Sequence, residues 1–447
     1  MIGDMTLAED ENEDSSAPDT ASIESLFILL MSWLYQQRNF TPEMLTAEEV
    51  QRFINAHTEY LNKAVETALV EVPLDEISVQ RLKESNYVFS GIKTFHELNE
   101  AFPSLLDSEG NLIPFNQFLN SVQTINKSYN GQYLKVEYEF AKSSAYMAAR
   151  WKEFEKDGED YYLQYRTAGD ARVRRTHQKL HGITLPITSK FWDKYFPPNG
   201  WNCRCTVVQV RKDKYPLSDE TQAMNLGSQA TAGKHQEMFM YNPGKKMTTF
   251  PAYNAYTISR CKECPYSGGS IKLAKVPDNE LCQACKVVRE MKKDNNKSEI
   301  QESIQTIISQ LENGYPKGES LIIGQLSGDI KEFVRKKGIE LISDDIYISD
   351  KQIRHALRPV KQKAGKAVTA EQLAAFPALM EDCEVYWDET AGNIQFITRQ
   401  DGKVQKFVVS LNYITKILGE KKMVNAFITA GTLEERNLGM RNLVKIK

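Results

Sequence analysis

Apolar positions recur at helical spacing over the first third of the chain. Val50, Phe53, Ile54, His57, Tyr60, Leu61 and Ala64 form one such stripe, behind a capping-box pattern at Thr46-Ala-Glu-Glu49. His57 sits on the stripe and reads as a packed core histidine. Pro103 and the Ser108-Glu-Gly-Asn111 turn break the pattern, and a long helix is predicted over 118–154, weakened at Gly131. Between 160 and 255 the helical period fades. Trp192, Tyr195, Phe196, Pro197, Pro198, Gly200 and Trp201 crowd together there, which suits a loop-and-strand core whose path is set by proline and glycine. Residues 206–210 read as a short strand. Ser298-Glu-Ile-Gln301 is a second capping-box pattern, leading into a helix with Ile300, Ile304, Ile307, Ile308 and Leu311 on one side and Asn313-Gly314 at its end. Residues 393–398 and 406–411 read as strands joined by the turn Arg399-Gln-Asp-Gly402, with 422–429 as a third strand.

This pattern divides the chain. Residues 1–22 carry seven acidic and no basic side chains and no apolar period, so a disordered acidic tail is expected. A helical region follows over 23–158, then a compact core over 159–255. A cysteine-rich module with a polar, basic linker at 286–297 fills 256–297, and mixed strands and helices occupy 298–447. The expected fold class is α+β and multidomain. The net charge of −3 over 447 residues gives no global pull toward nucleic acid, so any such binding needs a local patch. The longest apolar run, 26–31 with a short extension, falls well below the ~20 residues of a membrane span. It also follows acidic residues, the reverse of a secretory signal. No membrane partner and no general secretion are therefore expected.

Seven cysteines are present. Cys261-Lys-Glu-Cys264 and Cys282-Gln-Ala-Cys285 are seventeen residues apart, a spacing that lets four thiolates surround Zn2+ tetrahedrally. Four thiolates leave no open coordination position, so the zinc is expected to be structural. The remaining chemistry concentrates at 165–205. Asp170 can pair with Arg172 or Arg174. His177 and His181 would share one face of a helix, and with Cys203 and Cys205 would supply two nitrogens and two sulfurs to a metal. The alternative is that these histidines cap or pack and that the cysteines are buried thiols. Cys-x-Cys is less common than Cys-x2-Cys for zinc, and Gly182-Ile-Thr-Leu-Pro186 limits any helix, so the structural alternative is favoured. A zinc hydrolase would need an open metal position and a glutamate base, as in HExxH, and no such motif occurs.

Three blocks carry a resemblance: Tyr165-Arg-Thr-Ala-Gly-Asp170 with Arg172 and Arg174, the run from His177 to Pro186, and the run from Phe191 to Cys205 that ends in Asn-Cys-Arg-Cys. Together with Phe89-Ser-Gly-Ile-Lys-Thr94, Tyr129-Asn-Gly-Gln-Tyr-Leu134 and Tyr241-Asn-Pro-Gly244, they resemble the phage Mu F-like head-morphogenesis family over roughly 80–255. The resemblance implies a minor head protein of a phage or prophage, with portal and capsid proteins as partners. It also implies a place in the capsid interior of the virion, or in the host cytoplasm before release.

Residues 340–440 resemble phage-associated barnase/EndoU/colicin/RelE-like nucleases, through Tyr347-Ile-Ser-Asp350, Arg354-His355, Arg358, Lys361, Phe376-Pro377 and Thr429. That resemblance implies a small α+β domain and metal-independent RNA cleavage. The residues allow it. Between Lys351 and Lys366 lie six Lys or Arg, one His and no acid, a local anion site. His355 suits proton transfer; Arg358, Lys361 and Lys363 could hold phosphate, and Thr429 could orient it. Arg354 and Lys366 extend the basic surface for RNA or DNA. His355 is the single histidine of this region, so a lysine, Tyr386 or Tyr413 would have to act as its partner. The alternative is a domain that only binds nucleic acid or a protein partner.

Overall fold

The computed structural model describes residues 21–447 except 38, 159, 234, 263–267, 271–277, 313, 401–402, 418–419 and 440–441. The acidic tail through residue 20, Cys264 and the Asp401-Gly402 turn thus lie outside the described residues. Helix accounts for 53% and strand for 18%, the mixed make-up expected of an α+β chain. Two compact units divide between Lys292 and Lys293.

The helical stripe of the first unit is real. The helix Glu48–Leu69 buries Phe53, Ile54, His57, Tyr60, Leu61 and Ala64. His57 Nε2 meets Asn130 Oδ1 at 2.8 Å, so it is a core histidine as expected. The capping box at Thr46 does not form. Pro42 starts a 3-10 turn, Pro42–Thr46, in which the Thr46 hydroxyl bonds back to the Glu43 carbonyl at 2.8 Å, and Ala47 becomes the N-cap. The long helix expected over 118–154 is three helical pieces around a π-helical segment: Phe115–Ser121, Gln123–Asn126, the π segment Lys127–Tyr133, and Leu134–Lys156. Gly131 lies in that π segment. The wider turn aims Tyr129 and Asn130 into the core, where Asn130 donates to Glu97 at 3.1 Å.

The helix Glu76–Ala101 runs through the interior of this unit, and its polar residues are buried with its apolar ones. Lys93 and Glu137 are both fully buried and pair at 2.6 Å. Lys93 also donates to the Tyr129 carbonyl at 2.7 Å, and Tyr256 donates to the other Glu137 oxygen. Burial raises the Glu97 carboxyl to about 8, against the pull of Lys93. Gly91 on the same helix lies against Val288, and a Cβ there would come within 2.6 Å of a Val288 methyl.

A three-stranded antiparallel sheet, order β2-β1-β3, forms the next layer from β1 (Tyr161–Arg166), β2 (Thr184–Leu185) and β3 (Thr206–Arg211). The strand expected at 206–210 is β3. Its core takes Met147, Trp151 and Phe154 from the helix Leu134–Lys156, together with Phe191, Trp192, Tyr195 and Phe196. The Tyr241-Asn-Pro-Gly244 run fastens this layer to that helix. Tyr241 bonds Ser144 at 3.1 Å and the Thr249 carbonyl at 2.7 Å, while Asn242 caps the turn Pro243–Lys246. Gly244 lies against Trp151, where a Cβ would fall 2.2 Å from the Trp151 Cβ, so no side chain fits.

After β4 (Ile258–Lys262) and β5 (Gly268–Ser270), one helix runs through Asp278–Glu312. It corrects two expectations. The polar 286–297 stretch is the middle of this helix, not a linker. Ser298 does not start a helix, because its hydroxyl bonds back toward the Asp294 carbonyl at 3.3 Å within a continuous one. The helix does end at Glu312, just before Asn313-Gly314.

The second unit holds a seven-stranded sheet, order β12-β8-β9-β10-β11-β7-β6. Its strands are β6 (Ser320–Gln325), β7 (Asp345–Ser349), β8 (Glu384–Asp388), β9 (Asn393–Gln400), β10 (Lys403–Ile417), β11 (Glu420–Leu433) and β12 (Leu443–Lys445). The three strands expected from the sequence are β9, β10 and β11, the last two running further than their patterns suggest. All neighbours are antiparallel except β11 and β7. Phe376, from the helix Ala370–Leu379, stacks on Phe407 with centroids 4.2 Å apart. Ser349 and Gln352 make a capping box that starts the helix Asp350–Ala356. That helix carries Arg354 and His355.

The buried pair yields a stability prediction. Lys93→Met removes the buried cation that faces the Glu137 carboxyl. It should cost about 3–5 kcal/mol, whereas the double change Lys93→Met/Glu137→Met should cost less than Lys93→Met alone. Urea unfolding followed by tryptophan fluorescence reads both.

Candidate functional site

The central site is made by the two edges of β1. Its pairing with β2 aligns Leu163 with Leu185, and its pairing with β3 aligns Arg166 with Thr206. The chain leaving β1 and the chain entering β3 therefore meet at one end of the sheet. The first continues through Asp170 into the short helix Arg175–Gln178, which buries His177. The second arrives through Asn202, whose φ of 55° is a left-handed conformation that asparagine tolerates better than most residues. Just before β3, Cys203 and Cys205 are buried while Arg204 between them is exposed. This is the two-residue alternation of extended chain.

Both sulfurs converge on one ring nitrogen. Cys203 Sγ and Cys205 Sγ each lie 3.7 Å from His177 Nδ1. The Cys203 thiol is pulled well down by hydrogen bonding to Cys205 and to His177, and the Cys205 thiol is pushed up by its bond to Cys203 and by burial. The pair therefore loses its first proton readily and holds the second. Beside them Tyr165 is fully buried and donates to Asn199 Oδ1 at 2.9 Å. His181 is not part of this group. It is exposed and its Nδ1 accepts from the Thr167 backbone N–H at 3.2 Å. Of the four residues grouped by spacing, the structure brings three together, His177, Cys203 and Cys205.

On the outer side, Arg204 is the bidentate partner of Asp170, and the charge of Arg172 also acts on that carboxylate. Two parallel bonds of 2.7 Å join the guanidinium to the carboxylate. Arg204 holds the Asp170 carboxyl down to about 2, with the Arg172 backbone N–H as a further donor. Arg172 contributes its backbone through that 3.1 Å bond. Arg174 turns away to bond the Trp201 carbonyl at 2.7 Å, its guanidinium lying against Gly200. Sequence reasoning missed Arg204 as the partner, although its place between two cysteines was the signal: if both thiols point inward, the residue between them points out.

Residues 113–208 match the family described as Phage Mu protein F like protein. The matched stretch contains every residue of the central site. The Mu-like prophage FluMu F protein of Haemophilus influenzae is 25% identical over 330 residues, covering 66% of this chain and 74% of that protein. Protein F of Escherichia phage Mu, named for capsid assembly, is 38% identical over 71 residues, 16% of each chain. An uncharacterized protein of Methanocaldococcus jannaschii is 24% identical over 185 residues, 41% of this chain and 27% of that one. No solved structure matches the chain. The matches support kinship with the Mu F-like family, and they lend nothing to the nuclease reading of the second unit.

In that unit the basic residues gather around β11. Lys361 Nζ donates to Thr429 Oγ1 and, at 2.7 Å, to the Ala430 carbonyl. His355 is lowered from its usual value by partial burial, then by the charges of Arg358 and Lys361. Lys361 is lowered by burial and by Arg358 and Lys406. His355, Arg358, Lys361 and Thr429 thus share one neighbourhood. Lys406, on β10, joins them from outside the basic run that pointed to the site. Lys363 and Lys366 are exposed, and Arg354 lies over the Tyr315 ring at 5.1 Å. Tyr386 instead bonds Glu384 at 3.2 Å.

Among the four-cysteine residues, Cys261 falls in β4, while Cys282 and Cys285 lie one turn apart near the start of the helix Asp278–Glu312. Cys282 is exposed and Cys285 is partly buried, and neither is in a disulfide. Two thiols at i and i+3 share a helix face, a donor arrangement that suits one half of a zinc site. Among the described residues no helix is long and apolar enough to cross a membrane.

The electrostatics of His355 can be read directly. Its NMR titration midpoint should lie below the ordinary ~6.5 of histidine. Removing a neighbouring cation with Arg358→Ala favours the protonated ring, so the midpoint should rise.

Proposed function

We propose that the chain takes part in building a phage head, with the Asp170–Arg204 face of the first unit meeting portal or capsid proteins. The observation that carries this reading is that the Mu F-like match falls on a stretch whose interior is locked and whose outward feature is a rigid, exposed ion pair. An exposed pair is screened by water and contributes little to stability, so its value is more readily sought in contact with a partner. The relative from phage Mu that is named for capsid assembly supports the same direction. A four-thiolate zinc at Cys261, Cys264, Cys282 and Cys285 would stabilise the end of the first unit. In a lysogen carrying the gene, Arg204→Ala should lower the yield of DNA-filled heads counted by electron microscopy, while the purified variant unfolds like the wild type. Full yield from a lysogen with the gene deleted would remove the assembly role.

The second unit supports a further reading, a metal-independent ribonuclease. The grouping of His355, Arg358, Lys361 and Thr429 favours it. Partial burial and the charges of Arg358 and Lys361 favour the neutral His355 ring, which suits it to take the 2′-hydroxyl proton; Arg358 and Lys361 could stabilise the charge that develops on phosphate. The purified full chain should cleave fluorescent RNA in the presence of EDTA, and His355→Ala should reduce the rate by 10²-fold or more, an order of magnitude typical of losing a general base. Intact RNA with a folded wild-type protein would leave a binding module instead.

A further inference from the structure

We infer that His177, Cys203 and Cys205 form a second zinc site, separate from the four-cysteine one, inside the Mu F-like core. Among the described residues these are the one group of three or more histidine, cysteine or acidic side chains whose ligand atoms all lie within 4.8 Å of one another, and all three are buried. The geometry is that of ligands around an ion. Zinc bonds of ~2.3 Å to sulfur and ~2.05 Å to nitrogen, at tetrahedral angles, put sulfur and nitrogen about 3.6 Å apart. The two sulfur–nitrogen separations here are both 3.7 Å.

Hydrogen bonding alone accounts for this arrangement less well. A ring nitrogen offers one in-plane lone pair or one proton, and two sulfurs aim at the same Nδ1. One cation between the three atoms satisfies all of them together. The chain supplies the donors in a way that spacing hid. Two cysteines separated by one residue share a face where side chains alternate, and Cys203 and Cys205 are both buried with Arg204 exposed between them. The fold also fixes each ligand independently. The Cys203 N–H bonds the Gly200 carbonyl at 3.2 Å, Cys205 directly precedes Thr206, which pairs with Arg166, and the Leu180 N–H bonds the His177 carbonyl at 2.9 Å to close the turn that carries the histidine. The thiolates and imidazole favour a soft, tetrahedral ion, for which Zn2+ is the natural occupant. Three protein ligands leave a fourth position for water. With all three ligands buried the site does not admit a substrate, so its work is to clamp the turn after β1 to the chain entering β3. Arg204 lies between the two sulfur ligands, so the same clamp sets the exposed ion pair.

The test uses the full chain with Cys282→Ser/Cys285→Ser, which removes the four-cysteine site. Elemental analysis should still find about one zinc per chain, lost when His177→Ala is added. A second measurement needs no change at the site. After chelation, Co2+ added to the same Cys282→Ser/Cys285→Ser protein should give thiolate charge-transfer and tetrahedral ligand-field bands. Peptide mapping should show Cys203 and Cys205 protected from alkylation by metal and released by chelator. Absence of zinc and of the cobalt bands in a folded protein, or a Cys203–Cys205 disulfide in freshly purified material, would overturn the site.

Discussion

The pairing of β1 on both its edges is the constraint from which the central site follows. β1 has partners on either side, and the two registers leave no freedom in where the next segments begin. Arg166 opposite Thr206 brings the chain after β1 to within reach of the chain before β3. Asp170 and Arg204 then meet on the outside, and His177, Cys203 and Cys205 meet on the inside. A slip of one residue along β3 would exchange the two faces, turning the thiols to solvent and Arg204 into the core. The site is therefore a consequence of backbone hydrogen bonding before it is a consequence of side-chain chemistry.

The same unit holds a second polar assembly, in its helical part, and the two differ in what they can be for. Lys93, Glu137, Glu97, His57 and Asn130 are all buried, and their mutual bonds satisfy only part of their capacity: among the described residues Glu97 Oε1 and His57 Nδ1 have no hydrogen-bond partner. Buried polar groups of this kind are costly if broken and add little over a well-packed apolar core. The π segment fits this account. Its wider turn turns Asn130 inward, where it links His57 and Glu97, an arrangement that a regular helix through Gly131 would have shifted around the axis.

Much of this was legible in the sequence where the signal was local. The stripe from Val50 to Ala64 gave its helix because period 3.6 is visible without knowing the partner, and His57 was readable from its place on that stripe. Alternation gave β9, β10 and β11. The nuclease resemblance and the basic run from Lys351 to Lys366 together drew attention to His355, Arg358 and Lys361, which lie near one another in the structure. What escaped was set by contacts between distant segments. Arg204 is the bidentate partner of Asp170 because strand pairing, not sequence distance, decides which guanidinium it faces. Lys406 joined Lys361 from β10, beyond the reach of any local run. The two capping patterns failed for a related reason. A Ser or Thr ahead of Glu or Gln marks a helix start only where the backbone before it is free to leave the helix. Ser298 lies inside a helix that passes through it, and a 3-10 turn begun by Pro42 runs up to Thr46.

The Cys203-Arg204-Cys205 tripeptide joins the two halves of the functional reading. Its first and third side chains are buried and its middle one is exposed, so a single short segment carries both of the proposed sulfur ligands and the exposed guanidinium. Whatever fixes the sulfurs also fixes Arg204, and through it Asp170. A flexible surface arginine would give up side-chain entropy on meeting a partner; one already held in a bidentate pair over a clamped backbone has little left to lose. Under the proposed head-building role, this is what would suit the Asp170–Arg204 face to recognition, with the buried cluster beneath it holding the pair in place.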